Sequence, residues 1–311
     1  MRKAKPFIKW VGGKGGLLGQ IERYYPEELK NGTIKTYIEP FLGGGALYFS
    51  ISGTYTIKDA YLSDVNHDLI ITYTVIQRKH ETLLDFLEKY QKEYDKTAQD
   101  KRCALFLAIR RDFNEQRFEI HNKKFSEKWI PRAAQFIFLN KTCYNGLFRL
   151  NAKGEFNVPF GKYKTAAIFD GENIIAVSRA LQNAEIIHAE YTACFAHVTA
   201  QSFVYFDPPY RPITRTSSFT TYTGSLFTDK EQMALAAFFR RLDKEKGAKL
   251  MLSNSDPTNT NQDDSFFEKA YRGYNVFNVF ANRAVNCKGS GRGKIRELLI
   301  TNYGIITDGS S

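Results

Sequence analysis

The sequence predicts an α/β fold: a mostly parallel sheet whose strands alternate with helices, interrupted by one long insertion. Seven short β-branched and aromatic runs, each ending near Gly, Pro or a polar residue, alternate with helical patterns. They fall at Thr36–Glu39, Ala60–Ser63, Glu185–Ala189, Phe203–Phe206, Lys249–Ser253, Val276–Phe280 and Leu298–Asn302. The first two lie close together, whereas the third follows only after a long stretch of different texture, which marks an inserted domain. The 311 residues, 43% of them hydrophobic, suffice for one full α/β domain plus a second lobe. The expected division is a sheet domain formed by residues 1–70 and 166–311, with 71–165 inserted.

Taken in order, the chain opens with Lys9-Trp10-Val11-Gly12-Gly13-Lys14. This is no complete phosphate loop, because the glycine spacing is short and Gly15 follows the lysine, so a nucleotide triphosphatase is disfavoured. On its own Trp10 reads equally as a core anchor, and Lys14 as a surface charge. The first strand then runs into Phe41-Leu42-Gly43-Gly44-Gly45 and a helix start. Glycines there let a ligand approach the backbone and leave helix N–H groups free to meet it. A dinucleotide fingerprint would want glycine at position 48, where Tyr48 stands. Asp64 ends the second strand at the spacing where an acidic side chain meets ribose hydroxyls, or alternatively caps the helix after it.

The insertion shows helical periodicity over His67–Asp95 and Lys101–Phe113, and a basic, aromatic pattern around an apolar stripe over Lys123–Lys141. Two short extended runs from Tyr144 to Pro159, around a Lys153-Gly154 turn, read as a β-hairpin or as a charged surface loop.

The fourth strand ends in Asp207-Pro208-Pro209-Tyr210. Two prolines remove two backbone donors and fix φ, so the stretch is rigid and acceptor-only. Such a surface suits an exocyclic amine, whose N–H groups would be gripped by the Asp207 carboxylate and the Pro208 carbonyl. The nitrogen is thereby drawn towards tetrahedral geometry and its lone pair localised. Tyr210 adds a ring on which a base can stack. The bland alternative is a strand-end turn with a helix-capping Asp.

Composition narrows the partner. The 44 Lys+Arg against 33 Asp+Glu give a formal charge of +11, which favours a polyanion, although a merely soluble basic protein shares that balance. The four cysteines, Cys103, Cys143, Cys194 and Cys287, form no Cys-x-x-Cys pair, so neither a zinc ribbon nor a disulfide framework is signalled and no metal is expected. Met1 to Trp10 lacks an apolar leader run, and no stretch is apolar enough to span a bilayer.

In combination these motifs resemble the D12 class of DNA adenine-N6 methyltransferases, of the Dam and DpnII-methylase type, in the α arrangement with cofactor motif first, recognition insertion second and catalytic motif third. The resemblance runs from Lys5 to Tyr303. It implies a Rossmann-like S-adenosylmethionine-dependent methyltransferase sheet carrying a helical plus β-hairpin target-recognition domain. It further implies methyl transfer to N6 of a flipped-out adenine in double-stranded DNA within GATC, with S-adenosylhomocysteine as product. Carried over position by position, Trp10, Lys14, Phe41, Gly43, Gly45 and Asp64 would line the cofactor pocket. Asp207, Pro208, Pro209 and Tyr210 would hold the adenine, with Asp207 also facing the cofactor. Where such enzymes have Asp-Phe after the third strand this chain has Glu190-Tyr191, and Glu190 could still accept from the cofactor's adenine amine.

In the insertion, Lys9, Tyr144, Asn145, Leu147, Arg149, Pro159 and Tyr163 occupy positions that GATC-specific members use at DNA. Arg149 suits the O6 and N7 acceptors of guanine, Leu147 and Pro159 a thymine methyl, and Tyr144 and Asn145 the gap in an opened duplex. Ser217–Tyr222 resembles a loop that orders on substrate. Arg283, Lys288 and Arg292, in the basic stretch from Arg283 to Arg296, would contact phosphates. The implied setting is a cytoplasmic, nucleoid-associated monomer, and the resemblance allows a cognate restriction endonuclease that acts on the same site without binding it. Methyltransferases of cytosine N4, RNA adenine or protein glutamine use related tetrapeptides, and a DNA-binding module without turnover is the non-enzyme alternative. A zinc deaminase is excluded, since the Pro-Cys-x-x-Cys that its zinc site needs is missing.

Overall fold

The computed structural model describes residues 2–120, 124–211, 227–282 and 294–305. All seven expected runs form strands, with bounds shifted by a few residues: β1 (Thr36–Glu39), β2 (Asp59–Asp64), β3 (Ala184–His188), β4 (Ser202–Phe206), β5 (Lys249–Ser255), β6 (Asn275–Asn282) and β7 (Lys294–Thr301). They make one sheet in the order β3-β2-β1-β4-β5-β7-β6. The first five are parallel to their neighbours, while β7 runs antiparallel to both β5 and β6.

Strand β4, Ser-Phe-Val-Tyr-Phe, is buried along its whole length, the mark of a parallel strand covered on both faces. Alternate residues point to opposite cores. Tyr37, Leu62, Phe203, Tyr205 and Met251 join one apolar cluster; Ile38, Tyr61, Val204, Phe206 and Leu252 join the other. Because β2 lies on one side of β1 and β4 on the other, the carboxyl end of β1 is where strand order reverses. Open α/β sheets bind ligands at such a crevice.

The α-helices among the described residues are α1 (Leu18–Ile21), α2 (Glu27–Lys30), α3 (Ala46–Ser52), α4 (His67–Lys96), α5 (Arg102–Glu115), α6 (Trp129–Thr142), α7 (Gly171–Ala180), α8 (Asp229–Lys246) and α9 (Phe266–Ala270). Helix α4 begins where the Asn66 side chain accepts from Leu69 N, and breaks its regular geometry at Lys79. It belongs to the sheet at one end and to the inserted region at the other, so the two share a single apolar cluster. Arg132 of α6 locks that junction. Its Nε donates to Asp68 Oδ1 of α4 at 2.6 Å, its Nη1 to Phe113 O of α5 at 2.6 Å, and its guanidinium lies 3.8 Å from the Phe113 ring centroid.

The apolar stripe read over Lys123–Lys141 belongs in its larger part to α6, which follows a turn in which Trp129 N donates to Ser126 O. The hairpin expected between Tyr144 and Pro159 is short: around Lys153-Gly154 it pairs through one antiparallel bridge, Leu150 to Phe156, flanked by Asn157 N donating to Arg149 O at 3.1 Å and Asn151 N to Glu155 O at 2.9 Å. A 3₁₀ turn over Tyr144–Gly146, with Asn145 at φ 54° and Gly146 at φ 64°, leads into a loop closed by single bridges, Leu150 to Phe156 and Cys143 to Phe160. Positive φ at two successive residues curls the backbone out of the extended path a strand needs. The Asn151 side chain then accepts from the amides of Lys153 and Glu155, closing the tip.

Cys103 is exposed, whereas burial pushes the Cys143 and Cys194 thiols up to about 12, which makes both inert. Cys287 lies outside the described residues. No described helix is long and apolar enough to cross a membrane.

Candidate active site

Four acidic side chains follow from the ends of adjacent parallel strands: Glu39 closes β1, Asp64 closes β2, Glu190 comes just after β3 and Asp207 just after β4. The β2 and β3 ends are tied by Ala189 N donating to Asp64 O at 3.2 Å. After Glu39 the chain makes the glycine turn, with Gly43 at φ 47° and Gly45 at φ 65°. Side chains are excluded there by space as well as by φ. A Cβ on Gly43 would sit 2.8 Å from the Trp10 indole, and one on Gly45 would sit 2.7 Å from the Tyr73 hydroxyl. Asp64 fixes the turn by accepting from Gly43 N at 3.0 Å and from Asn66 N at 2.9 Å. Since Asn66 caps α4, Asp64 is not that helix's cap. Burial raises the Asp64 carboxyl, against the pull of those two amides. Phe41 stacks on Tyr191 with ring centroids 5.4 Å apart, so an aromatic surface borders the exposed Glu190. Trp10 closes the other side, its ring 6.3 Å from Phe148 of the insertion.

The corner after β4 is braced from several directions. Lys14 is 3% exposed rather than a surface charge; its Nζ reaches Asp207 Oδ1 at 2.7 Å and donates to Gly12 O at 2.8 Å. Ser253 Oγ also donates to Asp207 Oδ1, at 3.0 Å, and is itself held by Tyr205 OH at 2.9 Å. Both contacts fall on one oxygen, so among the described residues Asp207 Oδ2 keeps its lone pairs unclaimed. Downstream, Gln232 Nε2 donates to Pro209 O at 3.1 Å and Arg211 N donates to Asn254 Oδ1 at 3.3 Å, while Asn254 bonds Gln232. Within the same set of residues the Pro208 carbonyl accepts nothing. The Tyr210 hydroxyl donates to Glu297 Oε2 at 2.5 Å, and Lys14 Nζ lies 4.7 Å from the centroid of its ring.

Negative charge is concentrated here. Burial first, then Asp207, pushes the Glu39 carboxyl well above its usual range, although Tyr37 OH donates to it at 2.8 Å. Burial likewise raises Glu297, against the favourable field of Lys14.

The residues expected at DNA form a second group on the insertion side. Asn140, almost wholly buried, accepts from Lys9 N at 2.8 Å and donates to Lys9 O and Gly146 O at 2.8 and 2.9 Å. The N-terminal segment and the turn at Tyr144–Gly146 are thus held together. Lys9 Nζ lies 4.7 Å from the Tyr163 ring centroid, and Asn145 N donates to Tyr163 OH at 3.0 Å. Tyr144 is exposed at 53%, with its N–H donating to Pro159 O. Leu147 is half-buried and Pro159 exposed. Arg149 is exposed, with Nε fixed by Asn157 Oδ1 at 2.8 Å; its two terminal nitrogens have no partner among the described residues. Ser217–Tyr222, Arg283, Lys288 and Arg292 lie outside the described residues. Arg296, read as the end of a basic loop, stands in β7 and pairs with Asp256 at 3.3 Å.

Sequence reasoning passed over Ser253, Glu297, Gln232, Asn254 and Asn140. Each is a polar residue inside an apolar strand or helix, at a position where burial demands a partner, and that misfit was the available signal.

Residues 10–285 match the family of D12 class N6 adenine-specific DNA methyltransferases. The chain is 48% identical over 302 residues to "Type II methyltransferase M.MjaIII" of Methanocaldococcus jannaschii, covering 97% of this chain and 100% of that protein. It is 33% identical over 299 residues to the DNA adenine methylase of Vibrio cholerae, covering 96% of each. The DNA adenine methylase of Escherichia coli K12 is 31% identical over 300 residues, covering 96% of this chain and 95% of that protein. The family match takes in the glycine turn, the segment from Tyr144 to Tyr163 and the Asp207–Tyr210 corner, and the chain belongs to the D12 class of N6 adenine-specific DNA methyltransferases.

Proposed function

We propose that the chain transfers a methyl group from S-adenosylmethionine to N6 of an adenine extruded from double-stranded DNA at GATC, with residues 71–165 as the target-recognition insertion. The observation that carries the reading is the corner at Asp207–Tyr210: two acceptors, Asp207 Oδ2 and the Pro208 carbonyl, stand without partners among the described residues beside the glycine turn.

The cofactor pocket fits on its own chemistry. Gly43 and Gly45 form a turn that admits no side chain, Asp64 and Glu190 offer carboxylates for ribose hydroxyls and an adenine amine, and the Phe41–Tyr191 pair offers a flat apolar face. When bound, S-adenosylmethionine supplies a methyl group on a sulfonium, which is the electrophile. The rest falls to this chain's residues. Asp207 and Pro208 accept the two N–H groups of the adenine amine, which localises the nitrogen lone pair and stabilises the positive charge that develops there. Lys14 and Ser253 hold Asp207 Oδ1, so the carboxylate presents its other oxygen in a fixed direction. Tyr210 stacks on the base and offsets part of the few kcal/mol lost on unstacking.

Recognition is assigned to the segment clamped by Asn140. Arg149 has its Nε fixed and both terminal nitrogens available, the geometry for a guanine's O6 and N7. Tyr144 and Asn145, on a turn braced by Tyr163, are placed to fill the opened duplex. The Type II designation of the M. jannaschii relative is consistent with a paired endonuclease acting on the same sequence in a cytoplasmic setting.

The test is label transfer from radiolabelled S-adenosylmethionine to duplexes with and without GATC, followed by nucleoside analysis. Label in N6-methyladenine from the GATC duplex alone is expected. Equal labelling of both duplexes would refute the assigned sequence, and label on cytosine would refute the assigned acceptor.

A further inference from the structure

We infer that Glu297 is a positioning residue for methyl transfer, acting through Tyr210: its carboxylate fixes the orientation of the ring on which the target base stacks. The inference rests on the role given to Tyr210 above and extends it to a residue outside the Asp207–Tyr210 motif.

The backbone around Tyr210 is well held, by Gln232 at Pro209 O on one side and by Asn254 at Arg211 N on the other. Neither contact restrains the side chain. Two others do: Lys14 Nζ, 4.7 Å from the ring centroid, and Glu297 Oε2, which accepts from the hydroxyl at 2.5 Å. Lys14 is also committed to Asp207 and Gly12, and a charge above a ring restrains its tilt weakly. The hydrogen bond at the far end of the ring is the directional contact: it pins the hydroxyl and so fixes the first side-chain torsion, which sets where the ring sits, and the preference of a phenol O–H for the ring plane biases the second.

The anchor is rigid as well. Glu297 stands within β7, in register with Ser255 of β5 on one side and Val279 of β6 on the other, so its backbone is held by two strands. A half-buried carboxylate there, in a cleft that already holds Asp207 and Glu39, is electrostatically unfavourable for folding, which sets it apart from an incidental surface pair. Since Lys14 lies over one face of Tyr210, the base would use the other. Loss of the Glu297 contact frees the ring to turn, so a smaller fraction of bound duplexes reach the reactive arrangement. Affinity for the duplex, assigned to side chains other than Glu297, should stay the same.

The experiment is single-turnover methyl transfer to a GATC duplex, with binding measured separately and 2-aminopurine at the target position reporting extrusion. Glu297→Ala should slow transfer about tenfold with duplex affinity unchanged, as expected for a lost hydrogen bond to a charged group. Glu297→Gln, which still accepts from the hydroxyl, should stay within about twofold of the unaltered enzyme and also serves as the folded control. Tyr210→Phe should match Glu297→Ala, and the double variant should be no slower than either single one, because both remove the same bond. A Glu297→Ala rate near normal, a Glu297→Gln rate as low as that of Glu297→Ala, or losses that multiply in the double variant would each overturn the inference. Tyr210→Ala separates the two layers. If it transfers at the normal rate, the stacking role of Tyr210 itself fails; if it is slow while Glu297→Ala is unaffected, only the positioning role fails.

Discussion

The carboxyl edge of the sheet and the segment from Tyr144 to Tyr163 carry the side chains to which the proposal gives chemistry and recognition, and they hold them by different means. At the sheet edge the chemistry sits on strand ends, and the restraints are side-chain contacts in a cleft of low exposure: Lys14 on Asp207, Ser253 behind it, Gln232 and Asn254 beneath the prolines. On the segment from Tyr144 to Tyr163 the side chains expected at DNA, Tyr144, Asn145 and Arg149, are exposed, while the backbone makes only single bridges and is held from beneath by side chains of the neighbouring helices, Asn140 on Lys9 and Gly146 and Asn114 on Phe156. A reaction that needs a nitrogen held to within a fraction of an ångström calls for the first construction. A surface that must meet base edges across a groove calls for the second, with donors left free in solvent.

Variants can test that division of labour. The largest effect is expected from Asp207→Ala, which should reduce single-turnover methyl transfer by about 10³-fold or more while duplex affinity changes little, measured by label transfer and by binding. An equal fall in affinity would blur the two regions into one. Next comes the junction between them. Arg132→Met leaves Asp68 without its cation in a buried setting and should cost about 3–5 kcal/mol of stability by denaturant unfolding, much of it recovered by adding Asp68→Asn. Arg149→Ala should reduce discrimination at one guanine by about 1–3 kcal/mol, read from rates on duplexes altered at single positions, with little change in the GATC rate limit. Uniform weakening on every duplex would make Arg149 a phosphate contact instead.

The smallest effect concerns pH. Glu39 has a folded-state value raised well above its ordinary 4.5, so the folded chain binds more protons than the unfolded one across the interval between them. Its contribution is fully present below about pH 4.5 and is lost as pH rises through the raised folded value. Glu39→Gln should therefore melt progressively higher than the unaltered protein as pH rises from 4.5 upward. Parallel melting curves across that range would contradict the assignment.

The sheet was legible because apolar strands bounded by turn residues carry their own signal, and β1 came out at its expected bounds, Thr36–Glu39. The glycine turn and the Asp207–Tyr210 motif were legible because Gly and Pro have few other reasons to stand where they do. The recognition segment was harder. Two short extended runs around Lys153-Gly154 suggested a hairpin, but the left-handed Asn145 and the side-chain turn at Asn151 limit its pairing to single bridges, and neither has a periodic signature. Lys14 was expected in the cofactor pocket, but its contact with Asp207 was not legible because the two lie far apart in the sequence and only the folded sheet brings them within 2.7 Å. Glu297 was hidden for the same reason, next to a basic run that drew attention to phosphate instead.

The most direct test of the central claim is a crystal structure of the chain with S-adenosylhomocysteine and a GATC duplex. The account predicts an adenine out of the helix, its N6 within hydrogen-bonding distance of Asp207 Oδ2 and the Pro208 carbonyl, and its ring parallel to Tyr210. An adenine that remains stacked in the duplex, or an extruded base whose amine faces away from that corner, would contradict it.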